Sequence, residues 1–169
     1  MPETKTMGKE RAFLLHRLSD RINKITEGAL FGVILLMVSL TALQVIFRFF
    51  FQALTWSEEL SNFLLVFASL LGAAVAFKRG SHIAVTLIVD RVPVLGKKIL
   101  GTVTQLLGIL FFGIVALFGA QLMQTEGGQL TPALQISMAW IYSMYPLCGL
   151  IILIHLVDNL VKLWERGEV

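Results

Sequence analysis

Charge is scarce in this chain, and it is missing in blocks. Only 15% of the 169 residues are charged, against 56% hydrophobic, and no Asp, Glu, Lys or Arg occurs in 29–47, 60–77, 99–125 or 127–157. A soluble domain could not solvate such runs, so the bilayer is the default solvent. The apolar runs are continuous rather than alternating, which excludes a β-barrel pattern. The single cysteine, Cys148, cannot form an internal disulfide, and its place in the last apolar run reads as a small buried hydrophobe rather than a redox centre. No P-loop, HExxH or CxxC pattern is present, so nothing suggests an enzyme, a metal or a cofactor. No acid or base lies deep inside a run, which leaves an ion or proton relay without raw material. No inverted repeat of broken helices is visible either, as a transporter building its own central site would show.

What is present is enough for four crossings. A helix needs roughly 20 residues to cover a hydrocarbon core about 30 Å thick. The fold class is therefore an all-α membrane protein with four transmembrane helices, at about 28–51, 56–78, 98–123 and 132–160. Residues 1–27 form a segment ahead of them. It lacks the short apolar core and small-residue site of a cleaved signal, so it is expected to stay. Within it Leu14, Leu18, Ile22 and Ile25 fall at helical spacing with Arg11, Arg17, Asp20, Arg21 and Lys24 around the other side. That pattern predicts an amphipathic helix lying in the interface before the chain turns into span one.

Basic residues set the orientation, because loops rich in Lys and Arg stay in the cytoplasm. Six precede span one, Lys78, Arg79, Arg91, Lys97 and Lys98 lie between spans two and three, and Lys162 and Arg166 follow span four. Arg48 alone is left for the other side, which puts both termini and the middle loop in the cytoplasm. The positive net charge then reflects topology and gives no reason to expect nucleic acid. Thr131 and Pro132 read as the N-cap and first residue of span four, with Pro146 bending it midway. Gly28 and Gly32 form a GxxxG pair that serves either a close helix approach or nothing.

The stretch FRFFFQALTWSEEL concentrates the polar signals of the outer side. Arg48 closes span one, where a cation suits the helix C-terminus, and Glu58 and Glu59 fall in the first turn of span two. Thr55 and Glu58 have capping-box spacing. Arg48 lies at the same depth as the two acids, so an ion pair with Glu58 or Glu59 is the economical expectation. Adjacent acids point about 100° apart, so both cannot serve one arginine. The residues are either snorkelling and capping groups, or one acid is structural while the other faces a partner protein. Trp56 is placed as an interfacial aromatic. Glu58, Asn62, Ser69, Gly72 and Ala76 form a small and polar stripe on span two, and Gly101, Thr104, Gly108 and Gly119 a thinner one on span three. Both are packing signals.

Taken in order, Arg48, Trp56-Ser57-Glu58-Glu59-Leu60, Gly72-Ala73-Ala74, Lys78-Arg79-Gly80 and Ser81-His82-Ile83-Ala84-Val85 resemble the small, DctQ-like membrane subunit of TRAP transporters, the tripartite ATP-independent periplasmic family. A looser echo follows in Met138, Trp140, Tyr142 and Pro146, while Thr86 departs from the family, which often carries an acid there. The resemblance implies a non-catalytic scaffold subunit, multi-pass in the bacterial inner membrane, bound to a large TRAP membrane subunit that holds the substrate and sodium sites. A periplasmic substrate-binding protein would deliver an organic acid such as a dicarboxylate or a sialic acid. On that reading Arg48, Trp56, Glu58, Glu59 and Gly72 are partner-docking or structural residues, and His82 either pins a cytoplasmic loop or is an ordinary interfacial histidine. The rival is a haem- or quinone-binding membrane anchor of a respiratory enzyme, using His82 and His155.

Overall fold

The computed structural model describes the backbone of residues 3–50, 52, 54–79 and 94–166, and the side chains of 13–50, 52, 54–79 and 96–164. It contains five helices among these residues: α1 (Glu3–Phe50), α2 (Thr55–Lys78), α3 (Val94–Thr125), α4 (Met138–Tyr142) and α5 (Met144–Arg166). Four segments are long and apolar enough to cross a membrane, the fourth running through α4 and α5. The chain is a multi-pass membrane protein. Successive spans alternate in direction, so the bundle has two ends. One, the Arg48 end, gathers the close of α1, the start of α2, the close of α3 and the loop before α4. The other, the Lys78 end, gathers the close of α2, the start of α3 and the close of α5.

The turn expected between residues 27 and 28 does not exist, because α1 runs unbroken for 48 residues. At 1.5 Å per residue it is about 72 Å long, more than twice the hydrocarbon core. The packed face is neither of the two expected stripes: Ser19 and Thr26 are buried, while Leu14, Leu18 and Ile25 and also Arg17, Arg21 and Lys24 are exposed. The strip through His16, Ser19, Asp20 and Glu27 meets polar groups on α2 and α5. A helix held to its neighbours on that side has no reason to bend away into the interface.

Helix α3 packs along α5, and glycines make the seam. A Cβ on Gly119 would lie 2.5 Å from Tyr145 Cβ, and one on Gly149 would lie 2.9 Å from Ala116 Cβ. Gly108 receives Leu156 and Gly101 receives Leu163 in the same way, each at 3.2 Å. The small stripe expected on span three is therefore a packing surface. Ala74, Phe112, Ile152 and Leu156 form the common core of α2, α3 and α5, with Phe77 set edge-on to Phe112 at 5.2 Å.

The stripe on span two behaves differently. Helix α2 buries Ala68, Leu71, Ala74 and Val75, whereas Glu58, Asn62, Ser69 and Ala76 are exposed. A Cβ on Gly72 would meet nothing within 4 Å, and the same holds for Gly28 and Gly32. These glycines make no close approach among the described residues.

Span four starts six residues later than its sequence signals suggest. Thr131 and Pro132 belong to a short closed loop, not to a helix. Thr131 N–H donates to the Ile136 carbonyl at 2.8 Å, the Ile136 N–H donates to Thr131 Oγ1 at 3.2 Å, and Gln135 takes a positive φ of 56°. The Thr131 hydroxyl thus caps its own loop, and Ser137 is the helix cap, accepting from Ala139 N–H. The interruption expected from Pro146 is present, but at Ser143 near the beginning of the span. Proline carries no N–H to reach the carbonyl four residues back, at Tyr142, so the helix breaks there.

Candidate functional site

Each end of the bundle carries a polar constellation. At the Arg48 end the expected ion pair is not formed. Among the described residues no acid lies within ion-pair distance of Arg48. Glu58 instead accepts from Gln44 Nε2 at 3.1 Å, which ties α2 to α1. Arg48 and Glu58 share a cavity of about 270 Å³, also lined by Gln44, Leu54 and Thr55. The capping box is absent too: Leu54 occupies the N-cap position of α2 without a side-chain bond, and Ser57 Oγ donates to the Leu54 carbonyl at 2.6 Å.

Glu59 points elsewhere, as the 100° between adjacent helical residues requires. Its Oε2 accepts from the backbone N–H groups of Ala133 at 2.8 Å and Leu134 at 2.9 Å. Two successive amides converging on one carboxylate oxygen form a small anion nest, and charge-assisted bonds of this kind are stronger than neutral ones. Of the two acids, Glu59 is the structural one. It fastens the loop before α4 to α2. Trp56 is partly exposed beside them.

At the Lys78 end lies a cluster that the sequence reading misses. Asp158 on α5 is fully buried and receives three partners: His16 from α1 through Nδ1, Lys78 from α2 at 2.8 Å and Lys162 one turn along α5 at 2.8 Å. Lys78 also pairs with Asp20 at 2.7 Å and donates to Ser19 Oγ at 2.7 Å. Ser19 meets His155 Nδ1 at 2.9 Å. Ser19 Oγ thus stands between the Lys78 ammonium and the His155 ring. The ring's Nε2 is buried without a partner. Nearby, Arg79 pairs with Glu27 at 2.8 Å, and Asn159 Nδ2 donates to the Phe77 carbonyl in the last turn of α2 at 2.7 Å.

The chemistry of this cluster is closure. A buried carboxylate is tolerable only when paired and fully hydrogen-bonded, and Asp158 has a partner on three helices. His155, named above for the anchor reading, is buried in this cluster with one ring nitrogen bonded to Ser19. The signal that could have found the cluster is a run of polar positions, His155, Asp158, Asn159 and Lys162, on one face of an apolar helix. His82, with the rest of 80–93, lies outside the described residues. The resemblance carried by Ser81 to Val85 is thus tested by comparison, not by geometry.

The family model for the DctQ component of tripartite ATP-independent periplasmic transporters matches residues 37–166. A Haemophilus influenzae protein whose name describes a TRAP transporter small permease is 32% identical over 95 residues, covering 56% of this chain and 59% of that protein. The Vibrio cholerae sialic acid TRAP transporter small permease protein SiaQ is 26% identical over 110 residues, covering 65% of this chain and 64% of its own length. The match therefore spans about six-tenths of these two relatives. The sialic acid TRAP transporter permease protein SiaT of Haemophilus influenzae is 27% identical over 152 residues, which is 87% of this chain but only 24% of that protein. With the match running from the outer third of α1 through α5, this chain belongs to the DctQ-component family of tripartite ATP-independent periplasmic transporters.

Proposed function

We propose that this chain is a non-catalytic scaffold subunit that docks against a large TRAP membrane subunit through the outward stripe of α2. The observation that carries the reading is the exposure of Asn62, Ser69 and Ala76 beside an open Gly72. The Ser69 hydroxyl is satisfied by the Leu65 carbonyl at 2.8 Å, but lipid gives the Asn62 amide no partner, and small residues on a membrane helix favour the close approach of another backbone. Among the described residues nothing comes within 4 Å of a Cβ at Gly72. In SiaT the region similar to this chain is about a quarter of a longer permease, which supports a partner several times its size.

The assembly would take up an organic acid of the sialic acid or dicarboxylate class, coupled to sodium and delivered by a periplasmic binding protein. The names of two relatives favour the sialic acid class. Thirteen of the fourteen basic residues lie at the Lys78 end or in the segments that flank it, which supports a cytoplasmic Lys78 end and a periplasmic Arg48 end in the inner membrane. The cavity holding Arg48 and Glu58 would then face the binding protein. The substrate and sodium sites would reside in the large subunit.

The open space at Gly72 supplies the test. Among the described residues a Cβ at Gly72 meets nothing within 4 Å, so the side chain of Gly72→Leu starts into open space, where a neighbour would feel it. Co-expressed with the large permease, the variant is expected to insert normally, lose co-purification and lose sodium-driven uptake of the organic acid. Ser69→Cys should cross-link to the large subunit. Undiminished assembly and uptake with both Gly72→Leu and Asn62→Leu would remove α2 as the docking face.

A further inference from the structure

Three grooves on the outside of the bundle differ in what they offer a lipid. The groove along α1 at Met37, Thr41, Val45 and Ile46 holds no charge. The groove between α1 and α2 has a cation, Arg79, but Glu27 already neutralises it at 2.8 Å. The third, about 380 Å³, lies at the α3–α5 seam of the Lys78 end and is lined by Lys98, Ile99, Thr102, Val103 and Trp164. Its ammonium has no acid partner among the described residues.

The seam explains why the groove is there. Gly101 lets Leu163 sink against α3, so the next residue, Trp164, projects outward over the same turn with 66% of its surface exposed. Ile99 and Val103 continue the apolar wall towards the membrane centre. Lys98 stands near the N-terminus of α3, where the helix dipole adds to its positive charge. Trp and Lys at the ends of spans are residues of the headgroup level. A cation at that level, an indole beside it and an apolar channel running inward match one molecule in outline: a negative headgroup with an acyl chain.

We propose that this groove binds an anionic phospholipid, with the phosphate on Lys98 and the first part of an acyl chain along Ile99, Val103 and Trp164. The assignment does not depend on which way the chain faces. A free phosphate would use the ammonium but leave the apolar wall uncovered, so the bilayer lipid is the occupant the whole groove fits.

Trp164 is its own reporter. In the full-length chain carrying Trp56→Phe and Trp140→Phe, reconstituted in phosphatidylcholine vesicles, a trace of phosphatidylglycerol brominated on its acyl chains should quench Trp164 more strongly than equally brominated phosphatidylcholine. One cation at the surface should enrich the anionic lipid about five-fold. Lys98→Gln should bring the two quenching curves together, while Lys24→Gln, a cation on α1 outside this groove, should leave them apart. Native mass spectrometry of the chain with all three tryptophans, with phosphatidylglycerol and phosphatidylcholine added in equal amounts, gives the same comparison without the tryptophan changes. Equal quenching by the two lipids in the Lys98 protein overturns the proposal, as does an equal loss with Lys24→Gln. If Trp164 is shielded from both lipids once the large permease is bound, the groove is a protein interface and the proposal fails.

Discussion

The two ends of the bundle solve the same problem in opposite ways. At the Lys78 end Asp158 collects His16, Lys78 and Lys162, and three helices are closed around one buried carboxylate. At the Arg48 end the acids are divided: Glu59 holds the loop before α4, Glu58 takes a single bond from Gln44, and Arg48 shares a cavity with Glu58 without forming an ion pair. What keeps that end together is close approach of backbone, at Gly119 against Tyr145 and at Gly149 against Ala116. A carboxylate that closes three helices and an arginine outside ion-pair distance of any described acid are thus found at opposite ends.

The comparison breaks most easily at Asp158. Asp158→Asn keeps the shape and removes the charge, so Lys78 keeps only Asp20, which is well exposed, and Lys162 loses its ion pair. Removing one member of a buried pair typically costs about 3–5 kcal/mol, and the surviving Asp20 contact should hold the loss near the lower figure. Thermal unfolding in mild detergent should show the drop. A change below about 1 kcal/mol, the scale of an exposed pair, would mean that the cluster does not close the end.

Gly119→Ala tests the other end's means of closure. Its Cβ would stand 2.5 Å from Tyr145 Cβ and 3.0 Å from Pro146 Cδ, neither the tip of a flexible side chain. Overpacking of this kind costs about 1–3 kcal/mol. Gly72→Ala is the matched control, since its Cβ meets nothing and helix propensity favours alanine by about 1 kcal/mol. If both variants melt alike, the α3–α5 seam is not what holds the Arg48 end. A smaller effect is expected for Glu59→Gln, which keeps an acceptor for Ala133 and Leu134 but not its charge. A bond to a charged acceptor is worth about 1 kcal/mol more than a neutral one. Hydrogen exchange at those two amides should quicken about five-fold, with α1 and α2 unchanged.

These differences also explain what could be read in advance. The four spans are legible because twenty apolar residues in a row leave little choice, and the glycines of α3 are legible because membrane helices pack through small residues. The continuity of α1 is not, because a polar face reads the same whether it meets water or buried groups on other helices. Asp158 sits just after an apolar run and one turn before Lys162, which looks like a solvated helix end. Only the convergence of Ser19, His16 and Lys78 from two distant segments makes it a buried centre. The late start of α4 has a similar cause: Thr131-Pro132 is a sound capping signal, but the carboxylate of Glu59, 74 residues from Ala133, decides how the loop folds.

The smallest effect on stability is expected where the sequence signal is strongest. Arg48 is exposed and has no acid partner among the described residues, and Glu58 has one neutral partner. Arg48→Gln and Glu58→Gln should therefore each move stability by no more than about 0.5 kcal/mol. If the Arg48 end serves a binding protein, the same two variants should lower uptake in the assembled transporter at normal expression. Glu59 is unsuited to that test, because its loss disturbs the loop before α4 whatever it does for a partner. Unchanged melting together with reduced uptake would sharpen the contrast between the ends. Unchanged uptake as well would leave Arg48 and Glu58 as groups that merely reach the interface, and the cavity between them without a task.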